Sequence, residues 1–190
     1  MLTPNPVPAA GTLADRMAPR TRTWRALSTH GALDGLHRDA LTAADRRILP
    51  RAADLEARWT DIVRGDTLLR FDLRADNCIV DPSTGQISFV DWAAACTGPA
   101  WVDPVVLVLV LVLVLASDPG PGPVDPDTVL AQHPTARTAD PDAVTAFLAA
   151  ISGYWRWAAH QPDIPHAPGL RQLQQACADR ARRWLHYRLE

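Results

Sequence analysis

Lysine is absent from this chain, and all 19 of its basic residues are arginines. Glutamate occurs only at Glu56 and Glu190, so aspartate supplies almost all of the acidic side chains. Such a bias is typical of a GC-rich genome, but it also has a chemical consequence. A reaction that requires a lysine ammonium group cannot be completed by this chain alone.

Basic runs and aromatic–basic stripes are missing too, and the net charge is only −2, so no nucleic-acid partner is expected. The first 17 residues lack the basic and apolar regions of a secretory signal. The most apolar stretch, residues 105–116, is shorter than the ~20 residues of a membrane-spanning helix. The three cysteines have no metal-ligand spacing, and their odd number favours reduced thiols. We therefore expect a cytoplasmic protein with no membrane partner.

Apolar residues make up 47% of the chain, which allows a sizeable core. Residues 1–20 are rich in Pro, Ala and Thr and lack periodicity, so we expect a loose leader there. Pro50 should divide one helical stretch into two pieces, and Gly65 should end the second piece. Helical spacing of apolar residues is present in residues 21–36, 39–49, 51–63, 140–160 and 170–189.

Short β-forming runs occupy the middle of the chain. Residues 78–80 and 86–90 are rich in β-branched and aromatic side chains, and the segment between them, 81–85, has the composition of a turn. These features predict a β-hairpin. A further apolar run lies at residues 67–71.

Residues 105–115 alternate Val and Leu, which is compatible with a buried strand or a buried helix. The length of the run and Pro104 before it favour a helix. A Pro/Gly loop is expected over residues 117–123, followed by a short helix with Asp125 as its N-cap. Together these elements predict an α+β fold that is mainly α.

Oxygen-bearing side chains flank the predicted hairpin. Asp72 and Asn77 precede it, and Asp91 follows it directly. Phosphoryl transfer needs a carboxylate to orient the attacking hydroxyl, and oxygen ligands that hold Mg²⁺ against the phosphates. A short hairpin can bring its two ends together, so Asn77 and Asp91 can share one ion. Asn77 is one of only two asparagines in the chain, which makes its placement hard to attribute to chance.

The segment from Arg70 to Asn77, with the hairpin and Asp91–Trp92 after it, resembles the aminoglycoside phosphotransferase and choline-kinase-like family. The loops of that family read roughly His-Gly-Asp-x-x-x-x-Asn and Ile-Asp-Trp. The similarity is greatest to a bacterial branch with GDTL before the first loop, DLRADN within it, and VDW and ACTGPAWVD after it. The resemblance implies the C-terminal lobe of a protein-kinase-like fold over residues 21–190, with the hairpin carrying the catalytic and metal loops and no N-terminal lobe.

The same resemblance implies roles for individual residues. Asp72 would be the catalytic base, and Asn77 and Asp91 would bind Mg²⁺ and, through it, ATP. Trp92 takes the place of the Phe that follows this Asp in protein kinases. Asp103 would support the metal loop, although its position also suits a helix cap. The implied function is transfer of the ATP γ-phosphate to a hydroxyl of a small-molecule acceptor.

Two departures from the family pattern leave an alternative open. Arg70 stands where the family has His, and it can either reach a carboxylate such as that of Asp91 or misplace the loop. No Gly-x-Gly-x-x-Gly segment and no lysine are present to contact phosphates. The alternative is therefore a catalytically inactive, truncated kinase-like remnant or binding module. Without an N-terminal lobe, apolar surface near the hairpin is expected to be exposed and to allow homodimers.

Overall fold

The computed structural model describes residues 2–115 and 125–190 and is a mainly helical α+β protein, as the sequence predicts. The helices are α1 (Leu13–Met17), α2 (Thr23–Thr29), α3 (Ala43–Ile62), α4 (Val102–Leu115), α5 (Pro126–Gln132), α6 (Pro141–Ala159) and α7 (Leu170–Leu189). The strands are β1 (Ala32–Leu33), β2 (Leu36–His37), β3 (Thr67–Leu69), β4 (Cys78–Val80), β5 (Ile87–Phe89) and β6 (Cys96–Gly98). The loop expected at residues 117–123 lies outside the described residues.

The chain divides into two compact units. The first comprises Met1–Arg16 and Arg64–Ala139, and the second comprises Met17–Val63 and Asp140–Glu190. The proposed extent of a kinase-like lobe, residues 21–190, stays a prediction. No helix in the described part of the chain combines the length and the apolar character that crossing a bilayer requires.

Helices α2, α3, α6 and α7 build the second unit, and their buried faces form its core. Thr42 and Asp45 make a reciprocal capping box at the start of α3, and Asp140 caps α6 by accepting the N–H of Asp142. The Trp24 indole donates to the Ser152 hydroxyl at 3.1 Å, which joins α2 to α6. The largest fully buried side chains of this unit are Trp24, Leu27, Leu49, Trp59, Phe147, Leu148, Ile151 and Leu185.

The predicted break at Pro50 is wrong, because α3 runs through it without interruption. A proline inside a helix removes one backbone hydrogen bond and costs about 3 kcal/mol. Here the apolar stripe of the helix continues on both sides of the proline, with Leu49, Ala52 and Trp59 all at most 1% exposed. Burial of that stripe outweighs the local penalty.

The second unit also contains a hairpin that replaces the end of the helix expected over residues 21–36. Helix α2 ends at Thr29, and β1 then pairs with β2 in antiparallel register. Asp34 and Gly35 connect the strands, with φ of 43° and 86°. Positive φ at both turn residues is the conformation that favours an Asp-Gly pair.

In the first unit, β3 pairs with β6, with Leu68 opposite Thr97. Residues 2–16, where the composition suggests a loose leader, run along these strands. Leu2 accepts the N–H of Leu68, and Gly11 accepts that of Thr97. The segment is ordered because its backbone carbonyls accept hydrogen bonds from the outer edges of a two-stranded sheet. The composition of the segment does not reveal this pairing.

Gly65 does not end α3, since the helix stops at Ile62 with Val63 as its C-cap. Instead, the backbone of Pro99 lies against Gly65. A Cβ atom on Gly65 would be 2.4 Å from the Pro99 Cα. The glycine is therefore required by close packing of two backbone segments.

Candidate functional site

The predicted hairpin is present and brings its two ends together. Strand β4 pairs antiparallel with β5, and Cys78 lies opposite Phe89. One further backbone hydrogen bond extends the pairing, from the N–H of Val90 to the carbonyl of Asn77 at 3.0 Å. Asn77 therefore lies beside Val90, one residue before Asp91. The loop that contains Asp72 (the first loop) and the loop that contains Asp91 (the second loop) thus meet at the same end of the hairpin.

Arg70 links the two loops through their backbones. Its side chain is buried, and its guanidinium donates to the carbonyl oxygens of Asp72 and Val90 and, at 3.2 Å, to that of Asp91. It also lies 5.7 Å from the centre of the Phe89 ring. The sequence suggested a contact with the Asp91 carboxylate or a misplaced loop. The structure shows a third arrangement, in which the planar fork of Arg70 spans carbonyls of both loops.

Asp103 holds the first loop from the other side. It lies in the first turn of α4, and its two carboxylate oxygens accept the N–H groups of Arg70 and Phe71, each at 2.9 Å. Burial raises the pKa of Asp103, and these two N–H groups together with the Arg70 charge partly oppose that rise. These contacts support the loop that contains Asp72, whereas the resemblance implied support of the metal loop at Asp91.

Both loops contain a residue in the left-handed backbone region. Phe71, just before Asp72, has φ of 65°, and Asp91 has φ of 58°. Non-glycine residues adopt this region at a cost of order 1–3 kcal/mol, and such residues cluster at functional sites. The surrounding hydrogen bonds of Arg70 and Asp103 maintain the unfavourable geometry.

The three predicted site residues differ in their surroundings. The Asn77 amide is buried and donates to the Asp72 carboxylate at 2.9 Å and to its backbone carbonyl at 3.2 Å. The Asp91 side chain is exposed, and its Oδ1 accepts the N–H of Ala93 at 3.2 Å. Asn77 is thus hydrogen-bonded directly to Asp72. Asp91 is linked to them indirectly, through the pairing of the hairpin strands and through the bonds of Arg70 to both loops.

Each of the three side chains keeps one oxygen that accepts no hydrogen bond from any described residue: Asp72 Oδ1, Asn77 Oδ1 and Asp91 Oδ2. Carboxylate and amide oxygens are the ligands that Mg²⁺ prefers, and Mg²⁺ often takes only one or two protein ligands besides water and phosphates. Within the described ranges, no group of three or more His, Cys, Asp and Glu side chains could hold a metal. A site here would therefore depend on Asn77 and on a bound phosphate as well as on carboxylates.

A cavity of about 350 Å³ lies beside the first loop in the same unit. Its wall includes Arg70, Leu73, Phe89, Trp92 and His133. The apolar and aromatic character of this wall, with a few polar groups, is common in small-molecule sites.

The hairpin and its flank expose apolar surface, as the sequence suggests. Ile79, Val80 and Ile87 are each more than half exposed, on both faces of the ribbon. Trp101 and Trp184 are buried, but Trp92 is 45% exposed and donates its indole N–H to the carbonyl of Phe89.

Comparison of the chain with protein-family models, with curated proteins and with solved structures finds no match.

Proposed function

We propose that this chain is a phosphotransferase of the aminoglycoside phosphotransferase type, which moves the γ-phosphate of ATP to a hydroxyl group of a small molecule. The observation that carries the proposal is the Arg70 side chain, which bonds the backbones of the Asp72 loop and the Asp91 loop at once. The motif spacing around the hairpin and the left-handed residues in both loops support it.

In the proposed reaction, Asp72 orients the acceptor hydroxyl and takes its proton. The acceptor oxygen forms a bond to the γ-phosphorus while the bond from that phosphorus to the bridging oxygen of ADP breaks. Asn77 positions Asp72 through the hydrogen bond from its amide to the carboxylate. Asp103 and Arg70 maintain the loop geometry and do not touch the reacting atoms.

Asn77 and Asp91 would hold Mg²⁺ through the oxygens that no described residue engages. The ion would neutralise charge on the phosphates of ATP. Asp91, which is exposed, is the ligand that can reach the ion from the second loop.

A binding module without turnover is the second candidate function. The absence of lysine favours it, because kinases of this kind use a lysine to contact the ATP phosphates. Such a module would bind Mg²⁺ and ATP through Asn77 and Asp91 but would transfer no phosphate.

Phosphotransfer from ATP to a panel of hydroxyl compounds, with and without Mg²⁺, tests the enzyme. The Asp72→Asn variant should lose about 10²- to 10⁴-fold in rate, the usual contribution of a general base. Asp81→Asn is the matched control, because Asp81 lies in the turn at the far end of the hairpin and accepts from Ser83. Equal rates for the wild type and Asp72→Asn would remove Asp72 from the mechanism.

Calorimetry with Mg²⁺ and ATP separates the two candidates. The enzyme and the binding module should both show metal-dependent nucleotide binding that Asp91→Asn abolishes, but only the enzyme should turn over. If the wild type shows neither binding nor turnover, both proposals fail.

A further inference from the structure

The second unit contains a polar cavity of about 260 Å³ between helices α2, α3, α6 and α7. This volume is several times the ~30 Å³ that one water molecule occupies in the liquid. The charged and polar groups on its wall include Asp45, Ser152, Arg156, His160, Gln175 and Arg182. The residues of two guanidinium groups, Arg156 and Arg182, therefore line one cavity that is partly open to solvent.

Asp45 is the buried carboxylate of this cavity, and its oxygens are already engaged. Oδ1 accepts from Arg182 at 3.0 Å and from His186 at 2.9 Å, while Oδ2 accepts the backbone N–H of Thr42 at 3.1 Å. Burial alone would raise the pKa of Asp45, but the hydrogen bonds from Arg182 and Thr42 and the Arg182 charge lower it to about 2. Asp45 is therefore ionised and already shared among three donors.

Among the described residues, Arg156 has only the already engaged Asp45 as an ion-pair partner. Its side chain is only 16% exposed, and the nearest carboxylate oxygen is Asp45 Oδ2 at 3.6 Å, too far for a hydrogen bond. Its Nε is buried and has no hydrogen-bond partner. Its guanidinium donates no hydrogen bond to any residue in the part of the chain that the structure describes.

The other titratable groups on the wall beside Arg156 are engaged elsewhere. Arg156 lies on α6, and its carbonyl is hydrogen-bonded to the Nδ1 of His160, which lines the same cavity. Asp179, the other carboxylate on the wall, is engaged by the Gln175 amide and lies 3.5 Å from Arg182. The buried Nε of Arg156, which has no hydrogen-bond partner, is costly, so a ligand that accepts a bond from it would be favoured.

We infer that this cavity binds a small oxyanion, a phosphate or carboxylate group, on the guanidinium of Arg156. A planar fork of N–H donors matches two oxygens of such a group, and charge-assisted bonds of this kind are about twice as strong as neutral ones. The inference does not depend on the phosphotransferase proposal, because it uses none of the hairpin residues.

The test is thermal unfolding of the full chain with inorganic phosphate in one arm and acetate in another, at fixed ionic strength with chloride as the reference. Binding should raise the Tm saturably, by roughly 3–6 °C at tenfold excess over the dissociation constant. A rise with phosphate alone assigns a phosphate group, and a rise with acetate alone assigns a carboxylate. Equal Tm values in phosphate, acetate and chloride would refute the inference and leave the cavity to water.

Arg156→Met separates binding from the general stabilising effect of phosphate, which acts on any protein surface. Methionine fills much of the same space without charge or donors, so the saturable shift should disappear. Arg58→Gln is the matched control, since it removes one positive charge from an exposed pair with Asp54 in the same unit. A saturable shift that persists in Arg156→Met would overturn the assignment. Calorimetric titration of the wild type with phosphate and with acetate provides a direct measure if that variant does not fold.

Discussion

Glu56 is a buried carboxylic acid of the second unit, and its ionisation should change the stability of the chain. It lies on α3, is 1% exposed, and accepts the backbone N–H of Arg25 at 2.9 Å. Its Oε1 is buried without a partner, and a Cβ on Gly153 would be only 2.5 Å from it. Burial raises the pKa of Glu56 from 4.5 to about 7, although the N–H groups at the start of α2 and the Arg25 charge oppose the rise.

This pKa has a definite consequence for stability. The folded chain binds the Glu56 proton more tightly than the unfolded chain does, so the stabilisation from this proton is fully present below about pH 4.5 and is lost as pH rises through about 7. One pKa unit corresponds to about 1.4 kcal/mol, so the loss amounts to about 3 kcal/mol. Asp103 in the first unit also has a raised pKa and acts in the same direction, so Glu56 must be isolated by substitution.

Glu56→Gln keeps the shape and one acceptor but cannot ionise. The free energy of unfolding of this variant, relative to the wild type, should rise by about 3 kcal/mol between pH 4.5 and pH 8. Urea denaturation at several pH values measures it, with the fluorescence of the buried Trp24 and Trp59 as the signal. Glu190→Gln, at the only other glutamate, is the control and should follow the wild type. Parallel pH curves for Glu56→Gln and the wild type would show that Glu56 is ionised in the folded chain at neutral pH and would refute the reasoning.

Three further predictions concern the first unit; urea denaturation measures the stability changes, and calorimetry measures the nucleotide binding. In Arg70→Lys, the free energy of unfolding should fall by about 1–2 kcal/mol and Mg²⁺-dependent ATP binding should be lost, because an ammonium group cannot span carbonyls of both loops. Unchanged nucleotide affinity would contradict the linking role of Arg70. Asp103→Ala should lower the free energy of unfolding by about 3 kcal/mol, since it leaves the N–H groups of Arg70 and Phe71 unpaired. Asp81→Ala, in the exposed turn, is the control and should lower it much less. Gly65→Ala should cost about 1–3 kcal/mol because its Cβ would overlap the Pro99 backbone; a neutral result would mean that this backbone moves aside easily.

Local chemistry explains why many elements could be predicted from the sequence. Asp125 and Asp140 each precede a proline and cap the following helix with their own carboxylate, a motif contained within four residues. The hairpin of β4 and β5 is likewise local, since its turn is closed by Asp81 and Gly85. The Asp34–Gly35 turn carried a comparable signal, which the helical spacing before it obscured.

Other features depended on partners distant in the sequence. The Pro50 helix continues because its apolar stripe is buried, and residues 2–16 are ordered because they pair with β3 and β6. Spacing in the sequence indicated that Asn77 and Asp91 can meet. It did not indicate that Arg70 would connect the two loops through backbone carbonyls.

The sequence by itself determined which side chains carry oxygen around the hairpin and where most helices begin, because caps, turns and apolar periodicity act over a few residues. Tertiary structure alone decided which partners the charged groups find. Arg70 donates to three backbone carbonyls, whereas Arg156 has an ion pair with Asp45 at 3.6 Å. The chain has 19 arginines, and the sequence alone does not distinguish these two. Their surroundings differ because burial and hydrogen-bond partners depend on how distant segments pack in the folded chain.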